Sequence, residues 1–186
     1  MEFIDLKIQY NNLKKEIGDR INDVLNHGQY IMGPEISELE NDLSKFVDIK
    51  HCISCSSGTD ALLMSLMAMD VRPGNHILTT PFTYIATAEV ISLLGAIPDF
   101  VDIDSKTLCI DPKQIRKLIT KKTAAILPVH FAGIACNLNE ILHLCQENNV
   151  KLIEDAAHAA GTKYDGKRIG SHGMAVCFSF HPVKNL

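Results

Sequence analysis

The chain has 186 residues, a net charge of −4 and a pI near 6.0. Hydrophobic residues make up 46% of it and charged residues 22%, which is typical of a folded globular protein and not of a disordered one. Because 18 Lys and Arg face 22 Asp and Glu, the composition argues against a nucleic-acid-binding protein, which is usually basic.

The sequence also argues against a membrane protein. A spanning helix needs about 18–20 consecutive apolar residues, whereas the longest apolar stretch, residues 61–69, is shorter and contains Ser65. Glu2 and Asp5 stand where a signal peptide would carry positive charge. We therefore expect a cytoplasmic protein whose six cysteines are reduced thiols.

Apolar residues at helical spacing predict a helix over residues 10–26 that stops at Gly28, and a second helix that opens at Gly33-Pro34. Short apolar runs then alternate with longer helical patterns. The predicted strands are 51–54, 76–79, 97–101, 124–129, 151–153 and 175–179, and the predicted helices are 58–70, 83–94, 111–119 and 137–148. This alternation predicts βαβ units in a mainly parallel sheet, and the lack of a linker run predicts no internal domain boundary.

Ligands bind at the carboxyl ends of the strands in such sheets, so the segments that follow strands are the candidates for chemistry. Residues 56–63 (SSGTDALL) follow one strand and open a helix. Gly58 would let the backbone approach a ligand, and the amides at the helix start, with the Thr59 hydroxyl, would bind an anion. The alternative is that a Ser or Thr merely caps the helix.

A second candidate segment, residues 151–158 (KLIEDAAH), places two acidic residues at the end of a buried strand. Asp155 either pairs with a positive ligand atom or caps the following helix. His158 comes three residues later and could face the same ligand.

The third segment, residues 176–184 (VCFSFHPVK), presents Ser179 at the end of a strand and Lys184 after a short turn. Lysine is most often a plain surface residue. The other interpretation is a catalytic lysine, which burial near another cationic group would make reactive.

Three weaker candidates remain. His130 follows another strand and either lines the mouth of the site, as a substrate residue, or is a buried, hydrogen-bonded histidine. Cys52 and Cys55 have the spacing of a metal or redox pair, but residues three apart in a strand face opposite sides, so we predict no metal site. Asp102 and Asp104 could form an acid pair, but they are interpreted as solvated turn residues at the end of a strand.

The ordered set of motifs resembles one known family. The motifs are SSGTDALL, TPFTYIATA, VDID, PVHFAG, IEDAAHAAGT and FSFHPVKNL, preceded by FIDLKIQY and HGQYIMGPE. Together they resemble the DegT/DnrJ/StrS family of sugar-nucleotide aminotransferases, which are fold-type-I enzymes that use pyridoxal 5'-phosphate. The resemblance covers essentially the whole chain.

The resemblance implies a three-layer α/β/α large domain with a mainly parallel sheet. Residues 1–186 would comprise the N-terminal segment and most of the large domain that binds pyridoxal phosphate. Family members continue past the lysine with a Gly-rich segment and a C-terminal small domain, whereas this chain ends two residues after Lys184. We therefore expect a truncated form with little activity alone.

By the same resemblance, Lys184 would bind the cofactor aldehyde covalently and later move a proton, while Asp155 would keep the pyridine nitrogen protonated. These two are the expected catalytic residues. The other expected cofactor contacts are Gly58, Thr59 and Ser179 at the phosphate, Tyr84 stacked on the ring and His158 near the ring hydroxyl.

The reaction implied by the resemblance moves an amino group from an amino acid, usually glutamate, to a keto-sugar joined to a nucleotide, for amino-sugar and surface polysaccharide biosynthesis. The N-terminal motifs are most similar to enzymes that aminate C3, such as the 3-oxo-glucuronate type. Residues 28–34 would lie at the interface of a homodimer. Two alternatives stay open: a dehydratase relative, although those enzymes carry His in place of the lysine, and a non-catalytic fragment.

Overall fold

The structure is a computed structural model that describes residues 5–184. The chain divides into two compact units. The first comprises the chain up to Phe46 together with Lys50–Ser54, and the second comprises Val47–Ile49 and the chain from Cys55 onward. The absence of a linker run predicted no internal boundary. The structure has one because the division follows the packing of the residues and not a change in composition.

The first unit is built on two helices, α1 (Leu6–His27) and α2 (Pro34–Val47), of which only the last residue of α2 belongs to the second unit. α1 starts four residues before its predicted start because the Asp5 carboxylate accepts the Lys7 and Ile8 amides, both at 3.0 Å. It ends as predicted at Gly28, whose φ of 70° is the left-handed conformation that glycine adopts without strain.

The strand predicted over residues 51–54 is absent from the structure. The Ser54 amide and hydroxyl donate instead to the Glu40 carboxylate, at 2.7 and 2.8 Å. These bonds lower the pKa of Glu40. The apolar run 51–54 is therefore tethered to a helix, and the prediction was wrong because strand-like composition does not reveal that the backbone bonds elsewhere.

The second unit is a five-stranded parallel sheet with helices on both faces, which confirms the predicted α/β class and three-layer arrangement. The strands are β1 (His76–Thr79), β2 (Ile97–Phe100), β3 (Thr123–Leu127), β4 (Lys151–Asp155) and β7 (Ala175–Cys177); the helices are α3 (Gly58–Ala68), α4 (Ala86–Leu93), α5 (Pro112–Leu118) and α6 (Leu138–Asn148). The strand order is β2-β1-β3-β4-β7, and every neighbouring pair is parallel.

Side chains alternate between two apolar clusters, one on each face of the sheet. In β4, Leu152 packs into the cluster that contains α5 and α6, whereas Ile153 packs into the cluster that contains α3 and α4. In β3, Ile126 faces the first cluster and Leu127 the second. This period of two is why the strands are apolar throughout, as expected for a sheet covered on both sides.

One hairpin was not predicted from the sequence. β5 (Lys163–Tyr164) and β6 (Lys167–Arg168) are antiparallel strands joined by Asp165 and Gly166, whose φ angles are 47° and 80°. Asp-Gly is the dipeptide favoured by this tight turn. The flanking strands are too short to show periodicity, so the turn residues were the only available signal.

Within residues 5–184, no helix is both long enough and apolar enough to span a bilayer.

Burial predicts different tolerance at two helical leucines of the second unit. Leu66 in α3 is fully buried, whereas Leu93 in α4 is 70% exposed. We expect Leu66→Ala to lower the free energy of unfolding by about 2–5 kcal/mol, because it opens a cavity, and Leu93→Ala to change it by less than about 0.5 kcal/mol. Urea unfolding followed by circular dichroism measures both. Equal losses would contradict the placement of α3 against the sheet.

Candidate active site

The carboxyl ends of three strands and the start of one helix form the candidate site in the second unit. β1 leads into the loop before α4, β4 ends at Asp155, and β7 leads to Ser179 and Lys184. The start of α3 lies against the end of β7. A Cβ atom added at Gly58 would lie 3.0 Å from the Ser179 Cβ and 3.2 Å from the Phe178 carbonyl oxygen. Gly58 therefore permits the close approach of the two segments that the sequence predicted would hold a phosphate.

The start of α3 is capped by a side chain, and two of its amides have no acceptor among the described residues. The Ser57 hydroxyl accepts the Asp60 amide at 3.1 Å, which is the capping bond. Ser56 and Ser57 donate to the Asp60 carboxylate, and these two bonds lower the pKa of Asp60. The amides of Gly58 and Thr59 have no acceptor within residues 5–184. The cap and the anion site, weighed as alternatives from the sequence, can coexist because Ser57 supplies the cap alone.

Asp155 is a buried carboxylate held by neutral donors. It is 5% exposed, its Oδ2 accepts the Thr87 hydroxyl at 2.8 Å, and its Oδ1 accepts the Ala157 amide at 3.1 Å. No ion pair within the described residues involves Asp155. Because a buried charge is costly without an opposite charge, this carboxylate is suited to a cationic ligand atom. The bond to Ala157 closes a local turn, whereas the alternative offered by the sequence was the cap of a following helix, and residues 156–162 form no helix.

Lys184 and His158 are in direct contact. The Lys184 Nζ lies 2.8 Å from the His158 Nε2, and both side chains are half-buried. The pKa of His158 is lowered from its ordinary value, mainly by burial and then by the positive charge of Lys184, although Asp155 opposes the shift. A neutral imidazole that accepts a hydrogen bond from the lysine amine at Nε2 fits this environment.

The aromatic residues of the site differ from the expectation in part. Tyr84, expected to stack on a ring, lies in the loop before α4 and is 72% exposed. Phe131 contacts both Phe82, with ring centroids 4.7 Å apart, and His158, at 6.4 Å with an edge-on geometry. Neither phenylalanine was singled out from the sequence, where a lone aromatic residue after a strand carries no functional signal.

His130 was expected as a possible substrate residue, and its geometry favours the structural alternative. Its side chain is fully buried, Nε2 lies 2.8 Å from the Glu154 carboxylate, and Nδ1 accepts the Cys136 amide at 3.1 Å. Both ring nitrogens therefore have protein partners. The residue follows β3 by three positions, and its ring is enclosed by the fold and not exposed to a ligand.

The remaining candidates are structural in this chain. The Asp104 carboxylate accepts the amides of Lys106 and Thr107, so it closes a turn. Residues 5–184 contain no group of three or more His, Cys, Asp or Glu side chains placed to hold a metal ion.

Comparisons with known proteins agree with the family resemblance of the sequence motifs. The model of the DegT/DnrJ/EryC1/StrS aminotransferase family matches residues 11–186. This chain belongs to that family. It is 46% identical over 186 residues to the UDP-2-acetamido-2-deoxy-3-oxo-D-glucuronate aminotransferase of Pseudomonas aeruginosa, which covers 100% of this chain and 52% of that relative.

Solved structures agree with the family assignment. A family aminotransferase from Brucella abortus matches with a TM-score of 0.95 and 36% identity over 99% of this chain and 51% of the other. The pyridoxal-phosphate form of the putative sugar aminotransferase Spr1654 from Streptococcus pneumoniae matches with a TM-score of 0.86 and 32% identity over 89% and 46%. This family chain thus spans about half the length of the relatives it matches.

The contact between His158 and Lys184 predicts a measurable titration. His158 should titrate below its ordinary pKa of 6.5, so it should reduce the stability of the fold as the pH falls below that value. We expect Lys184→Gln to raise this pKa and Asp155→Asn to lower it further, because each variant removes one charge. Nuclear magnetic resonance of the imidazole resonances measures both shifts. Shifts of the opposite sign would contradict the geometry.

Proposed function

We propose that the protein transfers an amino group from an amino acid to a keto-sugar joined to a nucleotide, with pyridoxal 5'-phosphate as its cofactor. The observation that carries this proposal is the buried Asp155 carboxylate, which has only neutral donors and lies on the sheet edge that also presents Lys184. A protonated pyridine nitrogen would supply the missing positive charge.

The residues of the site fit each part of this cofactor. The unpaired amides of Gly58 and Thr59, at the positive end of the α3 dipole, suit a phosphate dianion, and the Ser179 side chain lies beside them. The amine of Lys184 suits the aldehyde, and His158 next to it suits the ring hydroxyl. When bound, pyridoxal phosphate supplies a carbonyl that takes up the amino group and a ring that accepts electron density.

The side chains of the protein would then have separate roles in the reaction. Asp155 holds a proton on the ring nitrogen, because its negative charge favours the protonated form. His158 accepts a hydrogen bond from the Lys184 Nζ and so orients it. The Lys184 amine, when free, would be the base that moves a proton at the reacting carbon. Tyr84, on its exposed loop, is proposed to stack on the ring.

The substrate proposal draws on a relative. The Pseudomonas aeruginosa relative is named for a UDP-linked 3-oxo-glucuronate sugar, which matches the C3 preference that the N-terminal motifs suggest. We therefore propose a UDP-linked 3-keto-sugar as substrate, glutamate as the first donor to test and surface polysaccharide synthesis as the setting. Lys184, at the position where the dehydratase relatives carry His, favours transfer over dehydration.

A homodimer is part of the same proposal. Residues 28–34 of the first unit carry three consecutive apolar side chains, Tyr30, Ile31 and Met32, which are 66%, 89% and 70% exposed. Adjacent exposed apolar side chains are typical of an interaction surface. They support the interface that the family resemblance implies for this segment.

The first prediction concerns Lys184. When the protein is mixed with stoichiometric pyridoxal phosphate and reduced with borohydride, we expect the cofactor to be linked to Lys184, which peptide mass spectrometry identifies. The Lys184→Gln variant should not be labelled under the same conditions. Labelling of Lys163 or Lys167 in the parent chain would contradict the assignment.

The second prediction concerns Asp155. In a form of the protein with measurable amino transfer from glutamate, Asp155→Asn should keep cofactor binding but slow transfer by orders of magnitude, because a neutral amide cannot hold the pyridinium proton. Asp102→Asn, which changes an exposed turn residue, is the matched control. An Asp155→Asn rate within a few-fold of the parent would show that Asp155 only closes its turn.

A further inference from the structure

The hydrogen bonds around Asp155 form a chain with a fixed direction. An ionised carboxylate can only accept, so the single hydroxyl proton of Thr87 must point at the Asp155 Oδ2, 2.8 Å away. The Thr83 Oγ1 lies 3.1 Å from the Thr87 Oγ1. Since the Thr87 proton is already used, Thr83 must be the donor in this second bond. The direction therefore runs from Thr83 to Thr87 to Asp155.

These two hydrogen bonds join the region around the start of α4 to the end of β4, which are distant in sequence. Thr83 lies in the loop after β1, next to Tyr84, and Thr87 lies in the first turn of α4. Thr87 is 1% exposed and Asp155 is 5% exposed. Hydrogen bonds to a charged group in such a dry environment are strong and depend on orientation.

The two bonds also determine which way the carboxylate faces. Its Oδ1 is held by the Ala157 amide of the following turn, and its Oδ2 by Thr87 from α4. The amide alone leaves the carboxylate able to rotate about its Cβ–Cγ bond. The second donor, on a different element, fixes the plane of the group. Thr87 is itself restrained, because a β-branched side chain has few χ1 rotamers.

We propose that Thr87, oriented by Thr83, is a positioning residue that aims the Asp155 carboxylate at the pyridine nitrogen of the cofactor. This inference rests on the proposed function. The competing explanation is that Thr87 only ties α4 to β4 and stabilises the fold. The two differ in one respect: a positioning role acts only on a ligand that has a ring nitrogen for Asp155 to contact.

The test compares two ligands and three variants. The ligands are pyridoxal phosphate and 1-deazapyridoxal phosphate, in which a carbon replaces the ring nitrogen. The variants are Thr87→Val, which keeps the shape but removes the hydroxyl, Thr87→Ser, which keeps the hydroxyl, and Thr79→Val. Thr79 is a matched control because it is a buried threonine like Thr87, although it lies in β1, and its hydroxyl donates to the Leu127 carbonyl and not to Asp155.

We expect Thr87→Val to raise the dissociation constant of pyridoxal phosphate about tenfold, as for the loss of a hydrogen bond to a charged group. Thr87→Ser and Thr79→Val should change it by less than about twofold. None of the variants should change the dissociation constant of the deaza analogue. Titrations followed by absorbance give these ratios even where the parent binds weakly, and circular dichroism checks the fold of each variant.

Two results would overturn the inference. Equal weakening of both ligands by Thr87→Val would show a purely structural role, and an unchanged affinity for pyridoxal phosphate would show no role. If Thr87→Val does not fold, Thr83→Val tests the same hydrogen bonds from their half-buried outer end. We expect this variant to weaken the binding of pyridoxal phosphate about threefold and to leave the binding of the deaza analogue unchanged. An unchanged affinity for pyridoxal phosphate would overturn the inference. Failure of the parent chain to bind pyridoxal phosphate would instead overturn the proposed function, and it would be seen before any variant is made.

Discussion

Two neighbouring carboxylates at the end of β4 face opposite sides of the sheet, and the rest of the site depends on that separation. Successive side chains of a strand alternate between its faces. The register with β7, in which Glu154 pairs with Val176 and Asp155 with Cys177, fixes which carboxylate faces which way. A slip of one residue would exchange them. The charged group of the site is therefore placed by strand pairing as much as by its own contacts.

The two carboxylates have different hydrogen-bond partners, which indicates a structural role for one and a ligand-binding role for the other. Glu154 is fully buried, and its Oε2 accepts a hydrogen bond from the Nε2 of His130, a residue that is itself fully buried. Among residues 5–184, Asp155 receives hydrogen bonds only from a hydroxyl and a backbone amide, which solvate its charge without cancelling it. A protein interior tolerates such a charge when a ligand of opposite sign completes the site. The same strand thus supplies one group that holds the fold and one that is left for a ligand.

Much of this arrangement could be predicted from the sequence, because buried parallel strands and their helices have a clear hydrophobic pattern. The family motifs also indicated Asp155, His158 and Lys184 as site residues, and the structure brings these three to one edge of the sheet. What could not be predicted is how polar groups choose partners. Nothing in the pattern marks Thr87 as the donor to Asp155, or Glu154 as the partner that turns His130 inward, because these contacts join residues far apart in sequence.

The close approach of Gly58 to Ser179 has a consequence for how the protein can diverge. A methyl group at position 58 would press on the Ser179 Cβ and on the backbone carbonyl before it, so the start of α3 and the end of β7 share one volume. A larger residue on either side must be matched by a smaller one or by a backbone shift on the other. These two segments, although far apart along the chain, are therefore expected to change together during evolution and to drift more slowly than the exposed helices around them.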